Sequence, residues 1–307
     1  MSVSLLPAEV STTTVRRWAW ATLVANTVII LTGGLVRLTG SGLGCPTWPR
    51  CTPESFVPHR ELGLHGAIEF GNRLLTYVLV AVVVGTLVAV WRWSRTSRSL
   101  RVHTVVIALG IPLQAVIGGI TVLMDLNPWV VALHLVLSLV LVALSTWLVL
   151  RVSDHRPARV PAPARPLALA TFVLTWVAVY LGTVVTGSGP HAGDADVPRN
   201  GLNPETMSRV HSASVYLLVA ATVVLLWVVR RTAARTAVLT LLAVELAQGG
   251  VGYAQYFTGL PISLVAVHLV GAATLVAAAT WSLLATRTPA TADGAATPEP
   301  VSGSLTV

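Results

Sequence analysis

Apolar residues fall along this chain in long, nearly unbroken stretches, at roughly 17–37, 68–91, 103–123, 129–150, 167–187, 211–229, 236–256 and 262–285. Each is close to the ~20 residues that a helix needs to cross a bilayer core. The pattern predicts an all-α polytopic membrane protein with eight transmembrane helices. An even number of crossings leaves both ends of the chain on one side. Polar segments at 38–64, 124–128, 188–210 and 257–261 join the helices on the other.

Composition agrees with a membrane protein: 54% of the residues are hydrophobic and 10% charged, against ~25% charged in a soluble domain. The net charge of +8 comes with no lysine at all. Fourteen of the 20 basic residues lie at the termini or in alternate loops, from Arg16 and Arg17 through Arg92–Arg101, Arg151–Arg165 and Arg230–Arg235 to Arg287. By the positive-inside rule those segments are cytoplasmic, which explains the charge without nucleic acid. The expected layout is a plasma-membrane protein. It has a cytoplasmic N-terminus (1–15), a four-helix half (16–151), a cytoplasmic linker (152–165), a second four-helix half (166–286) and a disordered cytoplasmic tail (287–307). The first helix reads as a signal anchor, since a cleaved signal peptide has a shorter apolar core and a small-residue cleavage site.

The halves repeat each other. Thr39-Gly40-Ser41-Gly42 closes the first helix and Thr186-Gly187-Ser188-Gly189 the fifth, and Gln114 precedes His134 by the same 20 residues as Gln248 precedes His268. Four helices per half give both the same topology, so two pseudo-symmetric four-helix bundles related by an axis along the membrane normal are expected. On the second helix of each half, Asn72 aligns with His211. His65, Glu69 and Asn72 share one face of helix two, with Arg73 beside them. Glu69, Arg73 and Arg37 have no counterparts in the second half.

Ionisable side chains inside a bilayer are costly and mark candidate functional sites. His211 and His268, on separate helices near the outer end, suit the two axial positions of a heme. A zinc or di-iron site would need three or four clustered ligands. Gly118, Gly119, Gly249, Gly250 and Gly252 would leave room for a flat macrocycle, or would serve close helix packing. Glu69 can carry proton chemistry or form a locking pair with Arg73. Arg37 and Arg73 can anchor anionic groups such as propionates, or snorkel to the interface. Glu245 reads as a buried hydrogen-bonding residue, with proton transfer as the less favoured alternative, and His59, His103, His155 and His191 read as solvated. Cys45 and Cys51, outside the membrane, are expected to form a structural disulfide, with a redox-active pair as the alternative.

The run Gly33-Gly34-Leu35-Val36-Arg37-Leu38-Thr39-Gly40-Ser41-Gly42-Leu43-Gly44-Cys45-Pro46-Thr47-Trp48-Pro49, then Ile68-Glu69-Phe70-Gly71-Asn72-Arg73, then the His134, His211 and His268 helices, resembles the heme A synthase family over about residues 15–285. The resemblance implies oxidation of the C8 methyl group of heme O to the formyl group of heme A, for use by terminal oxidases. It implies a heme b cofactor with iron ligands His211 and His268, and a heme O substrate in the first half near His134. Glu69 matches the acidic residue tied to activity, and Cys45 with Cys51 the external cysteine pair. A heme O synthase and a terminal oxidase are implied partners beside membrane lipid; homo-oligomerisation is left open. Two features depart from the family. Many members have histidine at the position of Asn72, so either His65 replaces it, the preferred reading, or His134 holds the substrate iron alone. Some members also carry a second cysteine pair, absent from 188–210. A di-heme electron carrier and a heme transporter are the rival readings. The asymmetry of Glu69 and Arg73 argues against the first, and the clustering of histidines at the outer side against the second.

Overall fold

The computed structural model describes residues 9–194 and 196–287; the expected disordered tail and most of the N-terminal segment lie outside the described residues. Among these residues there are eight long helices and no strand: α1 Thr12–Leu38, α2 Gly63–Trp91, α3 Arg98–Leu123, α4 Pro128–Val152, α5 Ala164–Ser188, α6 Pro204–Val229, α7 Arg235–Phe257 and α8 Ile262–Ala285. All eight are long and apolar enough to cross a membrane. Helices meet the demand that every backbone polar group be satisfied within the segment. Buried hydroxyls follow the same rule: Ser145, Thr146, Thr175 and Thr280 each donate to the carbonyl four residues earlier in their own helix.

Four helices begin five or more residues before the apolar stretches do, α3 among them at Arg98 behind the Ser97 cap. α1 starts at Thr12 behind the Ser11 cap, α2 at Gly63, and α6 at Pro204 behind Asn203, whose side chain accepts from the Thr206 N–H. Hydropathy locates the apolar part of a helix, whereas its first turn is set by the capping residue and by proline at the first position. His65 and His211 therefore both lie within helices.

α1 packs on α2 and α4, and α3 on α2 and α4, closing a ring; α5, α6, α7 and α8 close a second ring in the same order. The halves meet through α1 on α8, α4 on α5 and α4 on α8. Exchanging each helix for the one four places along reproduces every one of these pairs. An apolar core fills each ring toward the arginine-rich face, with Val15, Val83, Val90, Ile107, Leu148 and Val152 in the first. Ala168, Leu225, Val229 and Val238 do the same in the second. A third cluster, with Ile30, Leu139, Val142, Val179 and Val276, forms the seam between halves. The candidate histidines lie beyond these cores, toward the face carrying residues 39–59, 189–194 and 196–203.

Candidate functional site

In the second half, the His211 ring lies against Gly182 of α5, where an added Cβ would come within 3.3 Å of it. Its Nδ1 is hydrogen-bonded to the Ala178 carbonyl at 3.0 Å. That bond fixes the ring with Nδ1–H donating and leaves Nε2 free to ligate, as backbone carbonyls do for metal-bound imidazoles. His268 lies against Gly252 of α7, 3.6 Å from an added Cβ, and its Nδ1 is buried without a hydrogen-bond partner. Gln248 donates from Nε2 to the His268 carbonyl at 2.9 Å, tying α7 to α8 at this level. An added Cβ at Gly249 or Gly250 would meet nothing within 4 Å. Two imidazoles, each set against a glycine, and an orphaned ring nitrogen fit a planar iron macrocycle.

The first half repeats part of this arrangement. His134 lies against Gly118, 3.2 Å from an added Cβ, and its Nδ1 is buried without a hydrogen-bond partner. Gly118 and Gly252 each stand four residues after the paired glutamines, so the repeat extends to the glycine facing each histidine. Ser138 links the Gln114 side chain at 3.0 Å to the His134 carbonyl at 2.9 Å. Asn72 faces Gly33 as His211 faces Gly182, and its Oδ1 accepts from the Thr32 hydroxyl at 2.8 Å. His65 is exposed, two turns or about 10 Å farther along α2. Its Nδ1 is bonded to Ser41 at 2.8 Å, and it lines an outer cleft of about 430 Å³ with Gly40, Leu43, Gly44, Leu62 and Asp194.

Glu69 and Arg73 do meet, and the loop after α1 is built on them. Glu69 accepts the Cys45 N–H on Oε2 at 2.7 Å and Arg73 on Oε1 at 2.5 Å. Arg73 also donates to the carbonyls of Cys45, Thr47 and Arg50. The pair therefore latches the Cys45–Cys51 disulfide loop onto α2. Both cysteines are fully buried, the setting of a structural bridge. Gly44 is in close contact with the His65 backbone, and Trp48 reaches α3, where its indole occupies the place a side chain at 119 would take. Gly119 thus receives Trp48 rather than leaving room for a macrocycle. A bulky residue there, as in Gly119→Leu, should cost about 1–3 kcal/mol of local packing. Reduction of Cys45–Cys51 by a water-soluble reductant should then run about tenfold faster or more, as thiol alkylation would register.

Arg37 bridges the halves, donating from Nε to the His191 carbonyl at 2.6 Å and from Nη2 to the Thr186 carbonyl at 3.1 Å. His191, expected to be solvated, is half-buried and bonds the Leu260 carbonyl at 2.9 Å. His103 is likewise not solvated: 6% exposed, it bonds the Leu144 carbonyl and packs on Trp147. Both sit where a helix end is overlapped by its neighbours, which linear position does not reveal. His155 is half-buried, with its pKa lowered by burial, and His59 is exposed. Ser41, Trp48 and Gly182 were not singled out from the sequence. The Thr-Gly-Ser-Gly repeat was the available signal for Ser41; a tryptophan in a cysteine loop carried none.

A family model described as cytochrome oxidase assembly protein matches residues 16–65 and 64–280. The chain belongs to that family. The match runs through all eight helices, including the latch and His65, His134, His211 and His268. Family relatives include heme A synthases from several bacteria. That of Listeria welshimeri serovar 6b is 27% identical over 271 residues, covering 82% of this chain and 88% of the relative. That of Rhizobium etli is 27% identical over 319 residues, covering 84% and 85%. That of Methylobacterium radiotolerans is 30% identical over 214 residues, covering 58% and 57%.

Proposed function

We propose that this chain is a heme A synthase that oxidises the C8 methyl group of heme O to the formyl group of heme A. The observation that carries the reading is the pair of imidazoles set against glycines beyond the sealed apolar core, His211 and His268 in one half, with a half-matching set at His134 and Asn72 in the other. The halves act as repeats about an axis along the membrane normal, and the arginine distribution supports a plasma-membrane location with both termini cytoplasmic.

His211 and His268 would hold heme b, which supplies one-electron transfer when bound. His134 would hold the iron of the heme O substrate. Asn72 stands where the second half has a ligand, and its amide is a poor one, so the substrate iron is held from one side. His65, preferred on spacing, belongs to the outer wall of the site, where Ser41 fixes it. Asn72→His should therefore increase the heme retained in the first half on purification, and His65→Ala should leave it unchanged, both read as heme per polypeptide. A large loss in His65→Ala would return His65 to the ligand role.

Converting a methyl to a formyl group removes four electrons and adds one oxygen atom. Glu69 is proposed as the acid–base group for this step, while its hydrogen bonds also support a role in holding the loop that walls the site. The hydrogen bonds of Arg37 and Arg73 favour clamping of backbone over propionate binding. Expression in cells that make heme O but lack their own synthase tests the function: heme A should appear in the membranes, and its absence would refute the assignment.

A further inference from the structure

Glu245 lies midway along α7 with 2% exposure. The Thr222 hydroxyl of α6 donates to its Oε1 at 2.8 Å, and Oε2 is buried without a hydrogen-bond partner. The repeat gives this acid a control. Counting from Gln248 and Gln114 sets Ile111 at its place in the first half, and counting from His211 and Asn72 sets Val83 at the place of Thr222. Ile111 and Val83 are both buried in the first apolar core. Aliphatic side chains therefore satisfy the packing at this level, and the fold has no need of an acid there. A half-satisfied buried carboxyl costs stability, and an intramembrane acid retained at such a cost is a candidate for function.

Its position says which function. Glu245, Gln248 and Gly252 recur at the spacing of one helix face. Gln248 bonds the His268 carbonyl and Gly252 lies against the His268 ring. Glu245 is thus on the face of α7 turned to the second-half site, about 10 Å of helix rise from Gly252. Among the described residues it makes no ion pair. The titratable and charged groups of α6, α7 and α8 lie toward the ends. Glu205, Arg209, His211, Tyr216, Tyr253, Tyr256 and His268 are on the long-loop side, with Arg230, Arg231, Arg235 and Arg287 on the other. With no countercharge beside it and Glu245 buried, a charge there and a charge at the site of His211 and His268 act on each other strongly.

We propose that Glu245 is the proton-linked group of the second half: its carboxylate takes up one proton when the centre held by His211 and His268 gains one electron, and releases it when that electron leaves. The inference rests on the reading that this half holds heme b. The electron comes from a one-electron reductant and the proton from water, so the net charge of the site is unchanged. Glu245 acts through charge balance and does not touch the substrate.

The test is an optical redox titration of heme b in the purified full-length protein at a series of pH values, with a redox-difference infrared spectrum. In the parent, the midpoint potential should fall as pH rises, and the infrared spectrum should contain a carboxyl band that shifts in heavy water. In Glu245→Gln, with its heme b spectrum intact, both should be lost, and Glu245→Asp should restore them. An unchanged pH dependence in Glu245→Gln, or none in the parent, overturns the inference while leaving the heme b reading standing. If Glu245→Gln fails to hold heme, Thr222→Val decides: a displaced carboxyl band supports the inference and an unmoved one overturns it. A parent without heme B overturns the heme b reading and this inference together.

Discussion

Alanine at His268 is expected to empty the second half of heme B, lowering the heme B recovered per polypeptide by more than about tenfold, since even losing the hydrogen-bond partner of a metal ligand costs about 10–100-fold. No other histidine is placed to replace it: His191 is bonded to Leu260, and His103 is buried against Trp147 between α3 and α4. His211→Ala should behave alike, because the Ala178 carbonyl orients that ring alone. The pyridine hemochrome of the purified variants provides the measurement. His103→Ala is the control: it removes a buried histidine and should lower thermal stability while leaving the heme spectrum unchanged. Equal heme loss in all three variants would mean that the histidines act only through folding.

Breaking the Glu69–Arg73 latch is the second change with a large expected effect. The Glu69 and Arg73 side chains are only 7% and 20% exposed, and removing one partner of a buried pair costs about 3–5 kcal/mol. Glu69→Gln cannot spare the latch, because Cys45 N–H and the Arg73 guanidinium donate to different carboxylate oxygens, and in glutamine one of those two positions becomes an NH2 that cannot accept. Arg73→Leu leaves the acid in place while releasing the loop from one side. Both variants should make the Cys45–Cys51 disulfide reducible in the folded protein, as alkylation after mild reduction would reveal. If Glu69 also moves a proton at the reacting methyl, Glu69→Gln should lose heme A formation far more completely than Arg73→Leu. Equal losses would assign Glu69 to the latch alone.

The eight helices were legible because hydropathy reports the demand of the bilayer directly, residue by residue. The helix starts at Gly63 and Pro204 were not, since the first turns of α2 and α6 lie outside the apolar stretches. The repeat was visible in Gln114–His134 and Gln248–His268, and Gly118 and Gly252 were named beside it, yet the ring that each faces, and Gly182 against His211, emerged only with the packing, because a glycine's neighbour across a helix pair has no signature along the chain. Glu69 and Arg73 were recognised as neighbours on α2. That they hold the backbone of Cys45, Thr47 and Arg50 depends on where the loop folds back, which their spacing on a helix does not encode. Arg37 is the clearest case: its partners Thr186 and His191 lie about 150 residues away in the other half.

The most direct test of the central claim is mass spectrometry of the hemes extracted from the protein purified out of cells that make heme O. The account predicts heme B together with heme A from the parent, and heme B without heme A from His134→Ala. Heme B alone from both would contradict it, leaving a membrane heme protein that carries electrons without oxidising heme O.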